Sequence, residues 1–342
     1  MSDNVTVKKD KTLLLAPGPH IASPENSTGP MRNMLIALTP VSVFGVFIFG
    51  LPALLNIIVA VAAAVLGESL FRIIIRRPVR AKDLSAGVSG LLLALIIPPS
   101  MPLWMTALGS FFAVIVAKEF FGGLGANVFN PALIGRAFLL MSFPAAMTTW
   151  HHPGKFPLSL TDAVSGASPL GVYSSDTGCF APSSEGYWQS MKELFWGYHA
   201  GSTGETSVML ILSAFLFLLV TKTVDWRAPV SMTVAAAALS FAVGICPLFT
   251  VLSGGLIFGA VFMATDYVTA PVTPWGKIIF GAGAGIIAVL IRRWGGYPEG
   301  TSYGILIMNC AVPFLNKLLI RKYGYAAKKK PAKRQGGIGD AQ

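Results

Sequence analysis

Ten long apolar runs recur along this chain, and a chain built this way has few means of satisfying its backbone. They lie near residues 34–51, 53–75, 84–97, 101–121 and 128–142, then 206–223, 228–245, 248–264, 275–292 and 303–320. Hydrocarbon offers no hydrogen-bond partner, so runs of this kind cross a membrane as helices. Several fall short of the roughly twenty residues a straight span needs, which predicts some broken or half-buried helices. With 54% hydrophobic and only 12% charged residues, a soluble fold is excluded. A polar gap from about 144 to 205 divides the runs five and five. An odd number per half makes the halves run in opposite directions, as in inverted-repeat membrane folds. The expected class is an all-α polytopic membrane protein of about ten transmembrane helices in two five-helix halves.

Basic residues mark the orientation. Arg72, Arg76, Arg77, Arg80 and Lys82 follow the second run, and Lys328, Lys329, Lys330, Lys333 and Arg334 lie in the tail. Lysine and arginine favour the cytoplasmic side, and ten crossings put both clusters there with the N-terminus. The net charge of +11 is then an orientation signal, and no nucleic-acid partner is expected. The expected organisation is a cytoplasmic segment over 1–33, membrane halves over 34–143 and 206–320, an extracytoplasmic loop over 144–205 and a basic cytoplasmic tail over 321–342. That loop carries Asp162, Asp176, Glu185, Glu193 and Glu205 against only Lys155 and Lys192. Arg292 and Arg293 fall on the wrong side of this scheme, which snorkelling or an irregular ninth helix would explain. The first thirty residues are polar, with Lys8, Lys9 and Lys11, so no cleavable signal peptide is expected. Cys179, Cys246 and Cys310 form no CxxC pair. Buried, inert thiols are the expectation, with a cluster shared between subunits at Cys246 or Cys310 as the alternative.

Within the gap stands Asp162-Ala163-Val164-Ser165-Gly166-Ala167-Ser168-Pro169. It sets a carboxylate, two small hydroxyls and a Gly-Ala pair on an accessible turn, closed by a proline that ends local structure. A solvated Ser/Gly-rich loop reads the same way, so the pattern alone leaves both open. The run resembles the flavinylation motif Asp-x-x-Ser/Thr-Gly-Ala-Ser/Thr, in which FMN is joined through its phosphate to the last hydroxyl. Further on, Gly201-Ser202-Thr203-Gly204-Glu205-Thr206-Ser207 leads into an apolar helix. It suits an anion or a flavin edge at a helix N-terminus, or simple capping by Ser202 or Thr203. His151, His152 and His199 share the gap without a carboxylate or thiol at ligand spacing, so no metal is expected.

Polar residues inside the membrane carry more weight because they are few. Asp83 opens the third run, closed by Pro98-Pro99. Gly122 to Pro131 interrupts the first half, and Thr265 to Pro271 the second. Matched breaks in two halves point to a central site lined by unwound backbone, which makes Asp83, Asn127, Asn130 and Asp266 candidates for an ion or flavin path. Capping at the cytoplasmic surface is the competing reading. Gly281, Gly283 and Gly285 mimic a nucleotide fingerprint but lie in an apolar span, where close helix packing is expected.

Taken in order, these strings resemble one family. Pro19-His20-Ile21, Met31 to Pro40, Asp83 to Pro99, Gly125 to Pro131, Ser165 to Ser168, Gly201 to Ser207 and Met263-Ala264-Thr265-Asp266 are similar to the RnfD membrane component of the Rnf complex, the ion-translocating ferredoxin:NAD+ oxidoreductase. A more distant likeness is to the NqrB component of the sodium-pumping NADH:quinone reductase. The resemblance implies a urea-channel-like membrane fold and covalent FMN on Ser168, with Asp162, Ser165, Gly166 and Ala167 forming the rest of the attachment motif. Threonine is usual at the acceptor position, and serine here keeps Ser165 as the alternative acceptor. It further implies a flavin transferase acting outside, a second non-covalent flavin with no assigned residue, and coupling of electron flow to Na+ or H+. The implied partners are the A, B, C, E and G subunits of the Rnf complex and membrane lipid, in a prokaryotic inner membrane. NAD+ and ferredoxin sites would lie on those partners, leaving no complete active site here. A small-solute channel or transporter of the same fold is the reading from another class.

Overall fold

The computed structural model describes residues 28–79, 83–151, 165–166, 187–295 and 299–319. Each of the ten apolar runs is helical. The first half comprises α1 (Thr28–Phe49), α2 (Leu51–Ile74), α3 (Ser85–Ile96), α4 (Leu103–Val114) and α5 (Pro131–Ser142), with a short α6 (Pro144–Thr148) after it. The second comprises α7 (Tyr187–Trp196), α8 (Val208–Val220), α9 (Arg227–Ala242), α10 (Pro247–Leu252), α11 (Leu256–Phe258), α12 (Pro274–Trp294) and α13 (Thr301–Leu319). By length and composition α1, α2 and α12 are able to cross a membrane. Phe47, Phe241 and Phe314 are 67%, 77% and 69% exposed, a surface that water would penalise and lipid accepts.

The two halves pack in parallel fashion. α2 lies against α3 and α4, and α4 against α5; α9 lies against α12, and α12 against α13. Gly281 and Gly285 explain the closeness of α9 and α12: a Cβ on either would strike the backbone carbonyl of Ala228 or Met232. The glycine series therefore serves helix packing, as the sequence suggested.

Short helices cover the positions where the sequence breaks. α3 has twelve residues, about 18 Å, and stops before Pro98-Pro99. Its free Leu95 carbonyl accepts the Gly204 N–H at 2.7 Å, so the Gly201–Ser207 run folds back onto the end of α3. The eighth apolar run, expected as one span, is divided at Ser253–Gly255 into α10 and α11. Both halves also contain a π-turn, Ile115–Glu119 after α4 and Gly259–Met263 after α11. Their five-residue closures run from Phe120 N–H to Ile115 O (3.0 Å) and from Ala264 N–H to Gly259 O (2.8 Å).

Asn56 fastens the end of α3 to α2. Its amide donates to the Pro99 and Met101 carbonyls (2.8 and 3.1 Å) and accepts from the Thr106 hydroxyl (2.6 Å). Asn56→Ala would strand two buried carbonyls, and we expect a loss of about 2 kcal/mol, read as a lower melting midpoint of the purified chain in detergent. Between α8 and α9, Asp225 accepts from Lys277 (3.0 Å) and Arg227 (2.9 Å). Burial alone would raise this carboxyl, but those donors outweigh it and hold it below its ordinary range.

Candidate functional site

Two clusters of charged side chains stand out among the described residues. The first gathers around Lys118. α2 presents Glu68 and Arg72 one turn apart on one face, and the π-turn carries Lys118 and Glu119 toward them. The wider turn lets two consecutive residues both face α2 and α3. Lys118 Nζ lies 3.0 Å from Glu68 Oε1 and 2.6 Å from Ser85 Oγ. Arg72 Nη2 reaches Glu119 Oε1 at 3.1 Å, and its Nε lies 3.7 Å from Glu68. The Ser85 hydroxyl, which accepts from Lys118, also donates to Asp83 Oδ1 at 2.7 Å. All four charged side chains of this tetrad are buried. Buried charges of this kind persist only when paired, and in membranes they mark pathways or structural locks.

A pocket opens beside the tetrad, lined by Ser85, Lys118, Asn127, Asn130, Asp266 and apolar neighbours. Three of the four expected path residues, Asn127, Asn130 and Asp266, therefore meet in one place. Asp83 does not line it and touches it only through Ser85. Capping is present as well: Asn130 Oδ1 accepts from the Ala132 and Leu133 N–H groups (3.0 and 3.4 Å), and Asn127 donates to the Phe129 carbonyl (3.1 Å). Asp266 accepts from the Thr269 hydroxyl at 3.0 Å. Asn309 of α13 joins the halves, its amide oriented to donate to Thr269 O and accept from Asn130 N–H, each at 3.3 Å. Sequence reasoning missed Lys118 and Glu68 and placed Arg72 in a cytoplasmic loop. The available signal was a charged pair at i, i+4 within an apolar helix.

The second centre lies six residues further along α5, roughly 9 Å of helix. Arg136 pairs with Glu299 and donates to Ser302 Oγ at 2.6 Å. Of the two arginines for which snorkelling or an irregular ninth helix was expected, Arg293 is exposed and Arg292 is half-buried. It donates to the Thr250 and Ser253 carbonyls (2.7 and 3.2 Å), capping the broken α10, and to Thr301 Oγ1 (3.4 Å). Arg292 thus satisfies carbonyls at a break in the helix. The Gly201–Ser207 run is buried here too, with Thr203 against Gly45 of α1 and the Glu205 side chain against Gly255. Its helix is capped by Ser207, whose hydroxyl accepts the Leu210 N–H, and not by Ser202 or Thr203.

Beside this centre the chain forms a two-residue antiparallel ladder, Trp150–His151 with Ser165–Gly166. Trp150 pairs with Gly166 and His151 with Ser165, so this part of the motif is a strand where a turn was expected. Burial lowers the affinity of His151 for a proton. Asp162, Ala167 and Ser168 lie outside the described residues, as do His152 and Cys179. Cys246 is buried as expected, whereas Cys310 is exposed on α13, contrary to the expectation of a buried thiol.

The sequence matches the family described as NQR2, RnfD, RnfE over residues 14–324. It is 42% identical over 321 residues to the D subunit of the proton-translocating ferredoxin:NAD(+) oxidoreductase complex of Clostridium ljungdahlii, covering 90% of this chain and 95% of that protein. Identity to the D subunit of the Na(+)-translocating ferredoxin:NAD(+) oxidoreductase complex of Acetobacterium woodii is 38% over 324 residues, 94% and 98% of the two chains. The D subunit of the ion-translocating oxidoreductase complex of Stutzerimonas stutzeri is 37% identical over 332 residues, 88% and 93%.

Proposed function

The chain belongs to the NQR2, RnfD, RnfE family, and from that premise we propose that it is the flavin-bearing membrane subunit of an ion-translocating ferredoxin:NAD+ oxidoreductase. It crosses the membrane ten times as two inverted halves, with both termini cytoplasmic. The matched packing of α2–α4–α5 and α9–α12–α13 supports this, together with a π-turn in each half. Its partners are the A, B, C, E and G subunits of the Rnf complex, surrounding lipid, and a flavin transferase that works on the outer face.

FMN is held through its phosphate on Ser168, and when bound it supplies electron-transfer chemistry that no side chain here provides. The observation that carries this reading is the ladder. It ties Ser165 and Gly166 of the attachment motif to Trp150, which lies with Arg136 of α5 and Ser302 of α13. Beside the strand that carries the motif lie Trp150, Tyr303, Ser302 and the buried Arg136, whose charge is already paired with Glu299. At the cytoplasmic end, the Lys118 pocket offers the transported Na+ or H+ the Asp266 carboxylate and the Asn127 and Asn130 amides, with Lys118 as a fixed internal cation nearby. Two of the relatives are named for different ions, so the choice between Na+ and H+ rests on differences finer than this shared scaffold.

The test is in-gel flavin fluorescence of the denatured chain, co-expressed with its transferase. Ser168→Ala is expected to abolish the signal entirely. A signal that survives would move attachment to another hydroxyl, Ser165 first. No signal in the wild type would remove covalent flavin and leave the solute-channel reading, to be examined by flux into liposomes.

A further inference from the structure

The Gly201–Ser207 run and the broken eighth apolar run meet around a carboxylate that has no part in the attachment motif or the Lys118 pocket. Glu205 is 4% exposed, and its side chain lies on the backbone of Gly255 at the break between α10 and α11. Two guanidinium groups act on it, and both are already engaged. Arg136 pairs with Glu299, and Arg292 gives its terminal nitrogens to the Thr250 and Ser253 carbonyls. Five buried side-chain atoms of this centre have no hydrogen-bond partner among the described residues: Arg136 Nε, Ser202 Oγ, Glu205 Oε1, Ser253 Oγ and Arg292 Nε. The set is complementary, because each Nε–H only donates, a carboxylate oxygen only accepts, and the hydroxyls do both. Left dry, each such atom would cost about 1–3 kcal/mol. Water both donates and accepts, so a few buried waters answer the whole set.

The polar chain continues to the surface. Arg292 Nη2 reaches Thr301 Oγ1 at 3.4 Å, and the next residue, Ser302, accepts from Arg136 at 2.6 Å. Arg136, Glu299 and Ser302 line a narrow cleft together with Thr148 and Trp150. Its free space of about 30 Å³ is room for about two waters. The Glu299 side chain, 11% exposed, brings the chain to the surface there. Electrostatics then select what the centre can take up. Glu205 precedes α8 and belongs to no spanning helix; burial holds its carboxyl above the ordinary range, Glu299 adds to this, and Arg136 and Arg292 pull the other way. His199, the other titratable side chain beside the run, has its proton affinity lowered by burial and its Nδ1 at 3.2 Å from the Ala200 carbonyl oxygen. A metal cation entering here would be opposed by two guanidinium groups, whereas a proton added to Glu205 leaves a neutral acid.

We propose that Glu205 is a proton-exchanging site, reached through buried waters held between Arg292, Ser202 and Ser253 and connected to the surface by the Arg136–Ser302 cleft. In uptake, hydronium gives its proton to Glu205 Oε1, an O–H bond forms, and a neutral water is left behind; release is the reverse. With Asp266 in the Lys118 pocket, the chain then carries an ionisable carboxyl in each of its two polar centres. The inference rests on the ion-transport reading above for its role, and on this centre alone for its chemistry.

Infrared spectra of the full chain, purified in detergent and recorded in H2O and D2O, test this. At neutral pH the wild type is expected to show the C=O band of a protonated carboxyl. That band should move to lower frequency within minutes in D2O, because water reaches the group, and disappear at alkaline pH as the proton leaves. Glu205→Gln, of nearly the same shape, should remove it. Should that variant fail to fold, Glu205→Asp keeps the acid and is expected to shift the band, which assigns it as well. A wild-type minus variant difference without an exchangeable band overturns the inference. So does a band that D2O leaves in place for hours, since the carboxyl is then sealed. The spectra are taken on the chain alone, so their failure leaves ion transport by the assembled complex to its own test, flux into liposomes.

Discussion

Replacing Lys118 with methionine is expected to destabilise the folded chain by about 3–5 kcal/mol. Lys118 is 2% exposed, and its ammonium holds Glu68 Oε1 at 3.0 Å and the Ser85 hydroxyl at 2.6 Å. Methionine keeps the length and most of the volume, so packing changes little. What changes is Glu68, left buried with only the more distant Arg72 Nε at 3.7 Å. An uncompensated buried carboxylate costs far more than the pair contributes. The measurement is the melting midpoint of detergent-purified chain by gel filtration after heating. Adding Glu68→Gln to Lys118→Met should recover most of the loss, because the second change removes the stranded charge. A single-variant loss under about 1 kcal/mol, the value of an exposed pair, would show that the tetrad is hydrated.

Valine at Gly285 is expected to be nearly as damaging, by overpacking instead of desolvation. A side chain there would drive into the Met232 carbonyl and the Ala236 backbone of α9, neither of which can yield without moving a helix. Small-to-large changes at tight contacts cost about 1–3 kcal/mol, and Gly281→Val together with Gly285→Val should exceed that range because both press on the same helix. Gly283→Ala provides the contrast. Its new Cβ would meet the Sδ of Met308 at 2.6 Å, the end of a flexible side chain that can turn away. The yield of monodisperse protein should fall sharply for the double variant and stay near wild type for Gly283→Ala. Equal loss in both would sink the packing argument.

The helices were legible in the sequence because lipid-facing runs are continuous: Phe47, Phe241 and Phe314 are apolar for the same reason that they are exposed. The packing role of Gly281, Gly283 and Gly285 was legible because they stand in an apolar span. Where a run was read as continuous and is not, as at Ser253–Gly255, average hydropathy had outweighed a local Ser-Gly-Gly. Asn127, Asn130 and Asp266 were legible as polar residues at breaks, since a break in hydrocarbon has to be lined by something polar. The tetrad was not, because Glu68 and Lys118 are fifty positions apart and nothing local marks them as partners. Arg72 looks like the first of a basic loop, and only the fold turns it inward onto Glu119. The Arg136 centre was hidden for the same reason: Arg136 stands more than 160 positions from Glu299 and Ser302, and they meet only in the folded chain.

The π-turn at Ile115–Glu119 has a consequence for how this stretch tolerates change over generations. A π-turn holds one residue more than a regular α-turn over the same closure. Exchanging Val116 for another apolar residue alters one contact. Losing Val116 would let the segment close as ordinary helix and rotate the residues after it by roughly 100°, the angle one residue subtends. Lys118 and Glu119 would then leave Glu68 and Arg72 together, although neither had been altered. At Val116 the presence of a residue is under tighter constraint than its identity, so descent with substitution is open there where descent with deletion is not.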